Sequence, residues 1–486
     1  MTPMLFIIKY APEMITKSKP VRRKMSKKLV KNLQVQLMGA DIDAQIDYFW
    51  DKIRVELNKP CDEDIQATRH ILAHTSGIAH FLDAKAFHFE DFDDIVIKSV
   101  NFFKHKVFDK TFVVRCKRTG QHPFRSDEVE REIGHQLITD CPSAKVNLTT
   151  PAITINLEIS KDRLYLVNQR YAGIGGYPIG ELEHVISLIS GGYDSCVASY
   201  LTMRRGMPTH FCFFNLGGRE HELAVKEVAL YLWEHFGAKQ RIKFISVPFE
   251  EIVADILQHV DSAHMGVVLK RSMLKVATVL ADHYHIDALV TGEAISQVSS
   301  QTLSNLSIID KVTDKLLIRP LITEDKESII EMARKIGTDQ FSENIPEYCG
   351  VISVKPTTSA KLKRVEFEEA KLDSTRIQNA VDQAEWSNID QLDFTALHHA
   401  EIHISRIPLP DHRIIDIRHP NDIDKKPLTI DGQTILSIPF FKLHRLSDTL
   451  SSSENYLLYC DKGIMSRLHA SHLLDQGFNA GVYRPQ

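Results

Sequence analysis

The chain has 486 residues, of which 43% are hydrophobic and 25% charged, and its formal net charge is −4. This length predicts about three or four domains, and the composition is typical of a globular, soluble protein. No apolar window approaches about 18 uncharged residues, which argues against a membrane-spanning helix and favours the cytoplasm. Seven cysteines without a CxxC pair fit neither a secreted disulfide framework nor a zinc ribbon.

The N-terminal segment is strongly basic. Residues 1–60 contain twelve Lys or Arg and six Asp or Glu, a charge of +6, which leaves −10 for the rest. A solvated helix face is the usual explanation of a charge run, but such a run in an otherwise acidic chain favours a polyanionic partner. Eight bases lie in fifteen positions without an acid: Lys17, Lys19, Arg22, Arg23, Lys24, Lys27, Lys28 and Lys31. The first five of these, from Lys17 to Lys24, are the candidate RNA contacts.

Residues 61–168 predict a separate α/β unit with three helices (62–73, 92–103, 126–137) and three strands (111–116, 145–148, 153–159). The first of these strands runs into a basic turn in which Lys117 and Arg118 precede His122 and Phe124. Such a turn can hold RNA phosphates and stack on bases, although an ordinary hairpin tip explains it equally well. The glycine-rich segment 173–180 predicts a hinge, since Pro178 interrupts it and no helix follows directly.

The sequence VISLISGGYDS predicts a strand (185–189), a glycine loop and a helix. Two adjacent glycines allow positive φ angles and bring N–H groups close to an anion at the positive end of the helix. The loop lacks the lysine and the spacing of a Walker A motif. It resembles the PP-loop of ATP pyrophosphatases, which split ATP between its α and β phosphates and adenylate their substrate. This resemblance implies that Asp194 assists the reaction and that six residues bind ATP: Leu188, Ile189, Ser190, Gly191, Gly192 and Ser195.

From 185 to about 355 strands alternate with helices, which predicts a doubly wound parallel sheet with its ligands at the carboxyl ends of the strands. Gly292 and Gln301 follow the strand 288–291 and suit the floor of a nucleotide site. Lys270 and Lys326 are candidate phosphate contacts, although an exposed salt bridge explains Lys326 nearly as well. The sequence contains no dedicated metal-binding motif.

Residues 361–405, rich in charge, predict a helical linker. The strands 413–418 and 456–459 follow, and the second leads into Cys460 and a helix over 468–476. A lone cysteine is usually a small buried apolar residue. A cysteine between a strand end and a helix start instead lies near several N–H groups and a helix dipole, which favours the thiolate or persulfide.

Four features together resemble the ThiI family of bacterial tRNA 4-thiouridine synthases: SGGYDS at 190–195, the basic N-terminal module, DIR at 416–418 and CDKGIMSR at 460–467. The resemblance covers essentially the whole chain. It implies a multidomain α/β protein with five parts: a ferredoxin-like domain (1–60), a THUMP RNA-binding domain (61–168), a PP-loop adenylation domain (169–360), the helical linker (361–405) and a rhodanese-like domain (406–486).

The resemblance also implies a reaction. ATP and Mg²⁺ adenylate a uridine at position eight of tRNA, and Cys460 carries persulfide sulfur received from a cysteine desulfurase. Cys349, within the matching segment 346–350, then forms a disulfide with Cys460 that a cytosolic thiol reductant reopens. Family members can also pass sulfur to the ThiS sulfur-carrier protein for thiamine synthesis. We interpret the other cysteines as packing residues: Cys61, Cys116, Cys141, Cys196 and Cys212.

Two alternatives remain open at this point. One is a PP-loop ligase that delivers nitrogen, which would have no use for Cys460. The other is a tRNA-binding protein or sulfur carrier whose ATP site is inactive.

Overall fold

A computed structural model describes the chain over residues 4–216, 218–343, 345, 356–392, 402–418, 423–424, 426–430, 432–438, 443, 450–460, 466, 469–470, 473–474 and 476–485. The chain divides into two compact units, Met1–Glu181 and Leu182–Gln486. None of the helices in the described part combines the length and the apolar character that crossing a membrane requires.

The first unit is built on one eight-stranded sheet with the order β2-β3-β1-β4-β8-β7-β5-β6. Its elements are β1 (Met4–Tyr10), α1 (Pro12–Ile15), α2 (Lys19–Met38), β2 (Ala44–Tyr48), β3 (Lys52–Leu57), α3 (Asp62–His74), β4 (Ile78–His88), α4 (Phe92–Phe103), β5 (Thr111–Thr119), α5 (Ser126–Asp140), β6 (Lys145–Val146), β7 (Ile153–Ser160) and β8 (Arg163–Gly175). The helices and strands predicted for this part of the chain are therefore confirmed within a few residues.

The strand β8 differs from the sequence prediction. It pairs with β4 in antiparallel register along its whole length, so the boundary predicted after residue 168 falls inside it. The strand includes Gly173 and Gly175 of the predicted hinge, and the division between the two units follows at Glu181. A Cβ at Gly173 would lie 2.3 Å from the carbonyl oxygen of Ile78, so the close approach of the two strands requires glycine there.

The second unit contains a central six-stranded sheet with the order β13-β12-β9-β10-β11-β14. All neighbouring strands are parallel except the edge strand β14, which confirms the doubly wound prediction. Its elements are β9 (Val185–Leu188), α6 (Tyr193–Arg204), β10 (Thr209–Asn215), α7 (Gly218–Phe236), β11 (Lys243–Pro248), α8 (Glu250–His259), α9 (Met265–His283), β12 (Ala288–Val290), α10 (Leu303–Ile309), β13 (Leu316–Ile318), α11 (Lys326–Ile336), α12 (Asp339–Ser342), α13 (Leu362–Glu369), α14 (Thr375–Asp382) and β14 (Glu385–Asn388).

Residues 362–388 belong to this central domain, in contrast to the predicted linker. Val365 of α13 and Ala380 of α14 lie in the same hydrophobic core as α9, and β14 pairs with β11. The guanidinium of Arg271 on α9 donates to both carboxylate oxygens of Glu369, at 2.7 and 2.9 Å. We did not recognise the buried face of this segment in the sequence, because many of its residues are charged. A few apolar side chains are enough to pack two short helices against the core.

The C-terminal part forms a five-stranded sheet in which all described pairs are parallel, with the order β15-β19-β18-β16-β17. The two predicted strands are present as β16 and β18, and most of the predicted helix 468–476 lies outside the described residues. The strands are β15 (Ile404–Ser405), β16 (His412–Asp416), β17 (Ile435–Ser437), β18 (Asn455–Tyr459) and β19 (Asn479–Tyr483).

The buried pair between Arg271 and Glu369 provides a test of this domain boundary. The Glu369→Gln variant should lower the free energy of unfolding of the second unit by about 3 kcal/mol, because it leaves a buried guanidinium without its charge partner. Glu366→Gln, an exposed change on the same helix, should have an effect below about 0.5 kcal/mol. Urea unfolding of both variants measures this, and equal midpoints would mean that α13 is only a linker.

Candidate active site

The glycine loop connects β9 to α6 at the carboxyl end of the central sheet. Gly191 has a φ angle of +83°, whereas Gly192 caps α6 with a φ of −69°. Only the first glycine therefore uses the left-handed conformation that we expected for both. A Cβ at Gly191 would lie 2.4 Å from Cδ1 of Ile345, so that side chain would have to move to admit another residue, and the positive φ angle is the stronger reason for glycine here.

The serine hydroxyls hold the loop together. The Ser195 Oγ accepts hydrogen bonds from the Ser190 N–H and hydroxyl, both at 3.2 Å, and donates to the Gly192 carbonyl at 3.0 Å. Ser195, predicted to contact phosphate, thus shapes the loop with its hydroxyl. Ile189 is buried and its N–H bonds to Cys212, so Ile189 can offer a ligand little besides its backbone, while Leu188 is half-buried.

The end of β12 packs directly on the first turn of α6. A Cβ at Gly292 would lie 2.6–2.7 Å from backbone atoms of Asp194 and Ser195. Gly292 therefore meets the start of the helix, and its place in the floor of a nucleotide site stays a prediction.

Asp194 lies at the centre of a polar group above this contact. Its Oδ1 pairs with the Lys326 ammonium at 2.8 Å, and its Oδ2 accepts from the Gln297 amide at 2.8 Å. Two predicted site residues, 132 positions apart, are thus brought together. Gln297 belongs to the polar segment after β12 that we predicted as the floor of the nucleotide site.

A buried charge network lies behind Gly292. Glu293 accepts hydrogen bonds from Lys270 at 2.6 Å and from Arg319 at 2.8 Å. Burial by itself raises the pKa of Glu293, but the two cations outweigh burial and lower this pKa from 4.5 to about 2. Lys270, a predicted phosphate contact, is therefore neutralised by Glu293. Gln301 is buried, and its amide oxygen has no hydrogen-bond partner among the described residues, so an N–H of a bound nucleotide can satisfy it.

The residues suit a nucleotide better than a resident metal ion. The positive end of α6, the N–H groups of the loop and the acceptor on Gln301 are features that ATP can use. In the described part of the chain, no group of three or more His, Cys, Asp or Glu side chains is placed to hold a metal ion. Asp194 offers a single carboxylate, so a Mg²⁺ ion would take its remaining ligands from phosphates and water.

Cys460 directly follows β18 in the C-terminal domain. Its sulfur accepts a hydrogen bond from the Ser466 N–H at 3.2 Å and lies 3.3 Å from the Ser466 hydroxyl. These donors stabilise negative charge on sulfur. His469 bonds to Glu227 of α7, which joins this domain to the central one. Cys349 lies outside the described residues, so its pairing with Cys460 stays a prediction.

Four of the five other cysteines are buried or half-buried, as a packing role requires, and the exception is Cys61. Burial raises the pKa of Cys116 and Cys196 to about 12, and it also raises the pKa of Cys212. Cys141 is buried as well. Cys61 is instead exposed, and its sulfur accepts from the Asp64 N–H to cap α3, so the expectation of a packing role is wrong there.

The basic run of the first unit lies on and before α2. Lys17, Lys19, Arg23 and Lys24 are exposed, and Lys24 pairs with Glu181 at 3.0 Å. Arg22 differs from the prediction: it is 4% exposed, stacks on the Trp50 ring at 4.0 Å and donates to the Trp50 carbonyl. Because its guanidinium is engaged in the fold, Arg22 is a poor candidate for phosphate contact.

A second basic surface lies on one face of the sheet. Lys9 on β1 and Lys52 on β3 both reach Glu158 on β7, at 3.2 and 3.4 Å, although β4 and β8 lie between β1 and β7. Flat strands would keep β3 and β7 about 19 Å apart, which is more than a lysine and a glutamate side chain can span together, so this face of the sheet is concave. Lys117 on β5 lies directly opposite Glu158 on β7, so three lysines share this one carboxylate.

The concave face adds Lys52 and Arg54, which we did not predict as RNA contacts, to Lys117, which we did. Lys117 and Arg118 lie on β5 and not in the predicted turn, and Arg118 bonds to the Gly120 carbonyl at 3.0 Å. The alternation of Lys52 and Arg54 along β3 is a sequence signal that could have identified this face.

Three family models match the chain. The ThiI ferredoxin-like domain matches residues 5–81, the THUMP domain residues 89–167, and the model described as thiamine biosynthesis protein (ThiI) residues 180–374. The first two models cover most of the eight-stranded sheet, and the third covers the central sheet from β9 to β13 together with α13. The ferredoxin-like, THUMP and PP-loop predictions are thus confirmed.

The chain is similar along its whole length to bacterial proteins named tRNA sulfurtransferase. The identity is 48% over 484 residues with the protein from Pseudomonas putida, covering 99% of this chain and 100% of the relative. It is 47% over 483 residues with the protein from Azotobacter vinelandii, again covering 99% and 100%.

Two solved structures share the fold. A 4-thiouridine synthetase, solved in a complex with RNA and bound ATP, matches with a TM-score of 0.68 at 23% identity, over 80% of this chain and 99% of that one. A Pyrococcus horikoshii protein matches with a TM-score of 0.53 at 20% identity, over 69% and 99%.

The lowered pKa of Glu293 predicts a pH dependence of stability. Its ion pairs stabilise the fold at pH values above 4.5, and this stabilisation is lost as the pH falls toward about 2. The Glu293→Gln variant should be less stable than the wild type at neutral pH by roughly 3 kcal/mol, and this difference should shrink as the pH is lowered below about 4. Urea unfolding at a series of pH values measures this, and a difference independent of pH would refute it.

Proposed function

The chain belongs to the ThiI family of tRNA sulfurtransferases, and we propose that it converts the uridine at position eight of tRNA into 4-thiouridine in an ATP-dependent reaction. The observation that carries this proposal is the cluster of Asp194, Lys326 and Gln297 at the start of α6, on a chain that also presents Cys460 at the end of a parallel strand. The first group suits the activation of a carbonyl oxygen, and the second suits the delivery of sulfur.

Activation comes first because the oxygen at C4 of uridine is a poor leaving group. In the proposed step this oxygen attacks the α phosphate of ATP and releases pyrophosphate. The N–H groups at the start of α6 stabilise the pyrophosphate charge, and Lys326 supplies a cation beside Asp194. Asp194 would hold Mg²⁺, and the ion would supply further positive charge to the phosphates.

Sulfur transfer follows from the chemistry of the thiols. A cysteine desulfurase passes a sulfur atom to Cys460, whose persulfide attacks C4 with its terminal sulfur while AMP leaves. Cys349 then attacks the sulfur of Cys460, which breaks the sulfur–sulfur bond and leaves 4-thiouridine and a Cys349–Cys460 disulfide. A thiol reductant returns two electrons and opens the disulfide. The hydrogen bonds from Ser466 to the Cys460 sulfur support its role as carrier, and the five parallel strands support a rhodanese-like domain.

The first unit is proposed to bind the tRNA. Support comes from Lys19 and Arg23, which are exposed, and from the concave face, where the exposed Lys117 and the half-buried Lys52 lie beside Glu158. Excess lysine attracts phosphate in a salt-dependent manner.

A second role as a sulfur donor to the ThiS carrier protein in thiamine synthesis is proposed beside the first. It is favoured by the description of the matching family model as a thiamine biosynthesis protein.

Asp194→Ala should lower tRNA thiolation by at least about 100-fold, because the variant loses the carboxylate that organises the phosphate site. Mass spectrometry of nucleosides from the reacted tRNA measures 4-thiouridine. Asp382→Ala removes an exposed acid on α14 and should leave thiolation unchanged. If Asp194→Ala still thiolates tRNA at the wild-type rate, the adenylation hypothesis fails.

Cys460→Ser should stop thiolation driven by a cysteine desulfurase, while release of pyrophosphate from ATP in the presence of tRNA continues. The reason is that activation takes place in the central domain and needs no thiol from Cys460. Cys61→Ser, a change at the exposed cap of α3, should preserve both activities. Loss of pyrophosphate release in Cys460→Ser would show that Cys460 has a different role.

A further inference from the structure

Ser342, the last residue of α12, makes a hydrogen bond to the glycine loop. Its hydroxyl donates to the Gly191 carbonyl at 2.9 Å and lies 3.2 Å from the Thr338 carbonyl of its own helix. Ser342 is 7% exposed, so water cannot easily replace this bond. The sequence offers no sign of the contact, because 151 positions separate the two residues.

The carbonyl of Gly191 determines the direction of the next N–H group. Every peptide bond in the described part of the chain is trans, and in a trans peptide the C=O and the following N–H point in opposite directions. Fixing the Gly191 oxygen toward α12 therefore directs the Gly192 N–H away from α12. Among the described residues, no acceptor is bound to this N–H.

The Cys196 thiol also donates to the Gly191 carbonyl, at 3.5 Å, but a thiol is a weak donor, so the Ser342 hydroxyl is the stronger restraint on the peptide between Gly191 and Gly192. Neither residue has a Cβ, and Gly191 already occupies the left-handed region. A rotated peptide would direct a carbonyl oxygen toward the position that a phosphate oxygen needs, and the two would repel each other.

We propose that Ser342 is a positioning residue that holds the Gly191–Gly192 peptide with its N–H toward the phosphates of ATP. This inference rests on the proposed function, since it assumes that ATP binds at this loop. It assigns a role in nucleotide binding to a helix that the sequence analysis did not connect with the site.

The test compares ligands with and without the polyphosphate. Ser342→Ala should weaken the binding of ATP and of pyrophosphate by about tenfold, and it should leave the affinity for adenosine unchanged. Calorimetric titration with Mg²⁺, without tRNA or sulfur donor, measures all three ligands. A general loss of structure would instead weaken adenosine and ATP alike, and that result would overturn the proposal.

Further variants distinguish the effect of Ser342 on the loop peptide from a general loss of folding stability. Ser199→Ala removes another buried hydroxyl, which donates to the Ser195 carbonyl of α6, and should keep the wild-type affinity for ATP. Ser342→Thr retains a hydroxyl and should restore most of the binding. If the alanine variant does not fold, Ser342→Cys, which has nearly the same size and a weaker donor, should show the same selective loss.

The outcomes distinguish this inference from the proposed function. A wild-type chain that binds no ATP would overturn both. A wild-type chain that binds ATP, with Ser342→Ala or Ser342→Cys binding it equally well, would overturn the role of Ser342 alone.

Discussion

The site depends on one contact between backbones, in which Gly292, two residues after β12, packs against the first turn of α6. No side chain fits between Gly292 and the atoms of Asp194 and Ser195. Because this contact is so close, the carboxyl ends of β9 and β12 meet at the N-terminus of one helix. Gln297, which follows β12, then has only a short distance to span to Asp194, and Lys326, the first residue of α11 after β13, bonds to the same carboxylate.

Charge is arranged around this contact in two layers. The buried layer is close to neutral, since Glu293 lies between Lys270 and Arg319, and Arg319 also pairs with Asp310. The outer layer consists of Asp194, the Lys326 ammonium and the N–H groups of the loop. Such an arrangement lets the site attract a polyphosphate without leaving an uncompensated charge in the core. The C-terminal domain contributes a different chemistry, a thiol whose sulfur accepts hydrogen bonds from Ser466.

Sequence patterns predicted the elements that follow one another along the chain, because β9 to β12 alternate with amphipathic helices and their periodicity is local. They did not predict β8 or β14. The pairing of β14 with the distant strand β11 leaves no local signal, whereas β8 follows β7 in an antiparallel hairpin that we did not recognise. In the site, the motif identified the loop and Asp194. The network of Glu293 with Arg319 was missed because its members are 26 positions apart. Arg22 looked like its basic neighbours, and only the folded chain shows that it packs on Trp50.

The central claim is that the nucleotide pocket activates the uridine oxygen as an adenylate before sulfur arrives. The most direct measurement uses tRNA in which the uridine oxygen at C4 is labelled with oxygen-18, followed by mass spectrometry of the nucleotide products. If the oxygen attacks the α phosphate and AMP later leaves from C4, the label must appear in the phosphate of AMP. Label found in pyrophosphate, in inorganic phosphate or in water would contradict the account.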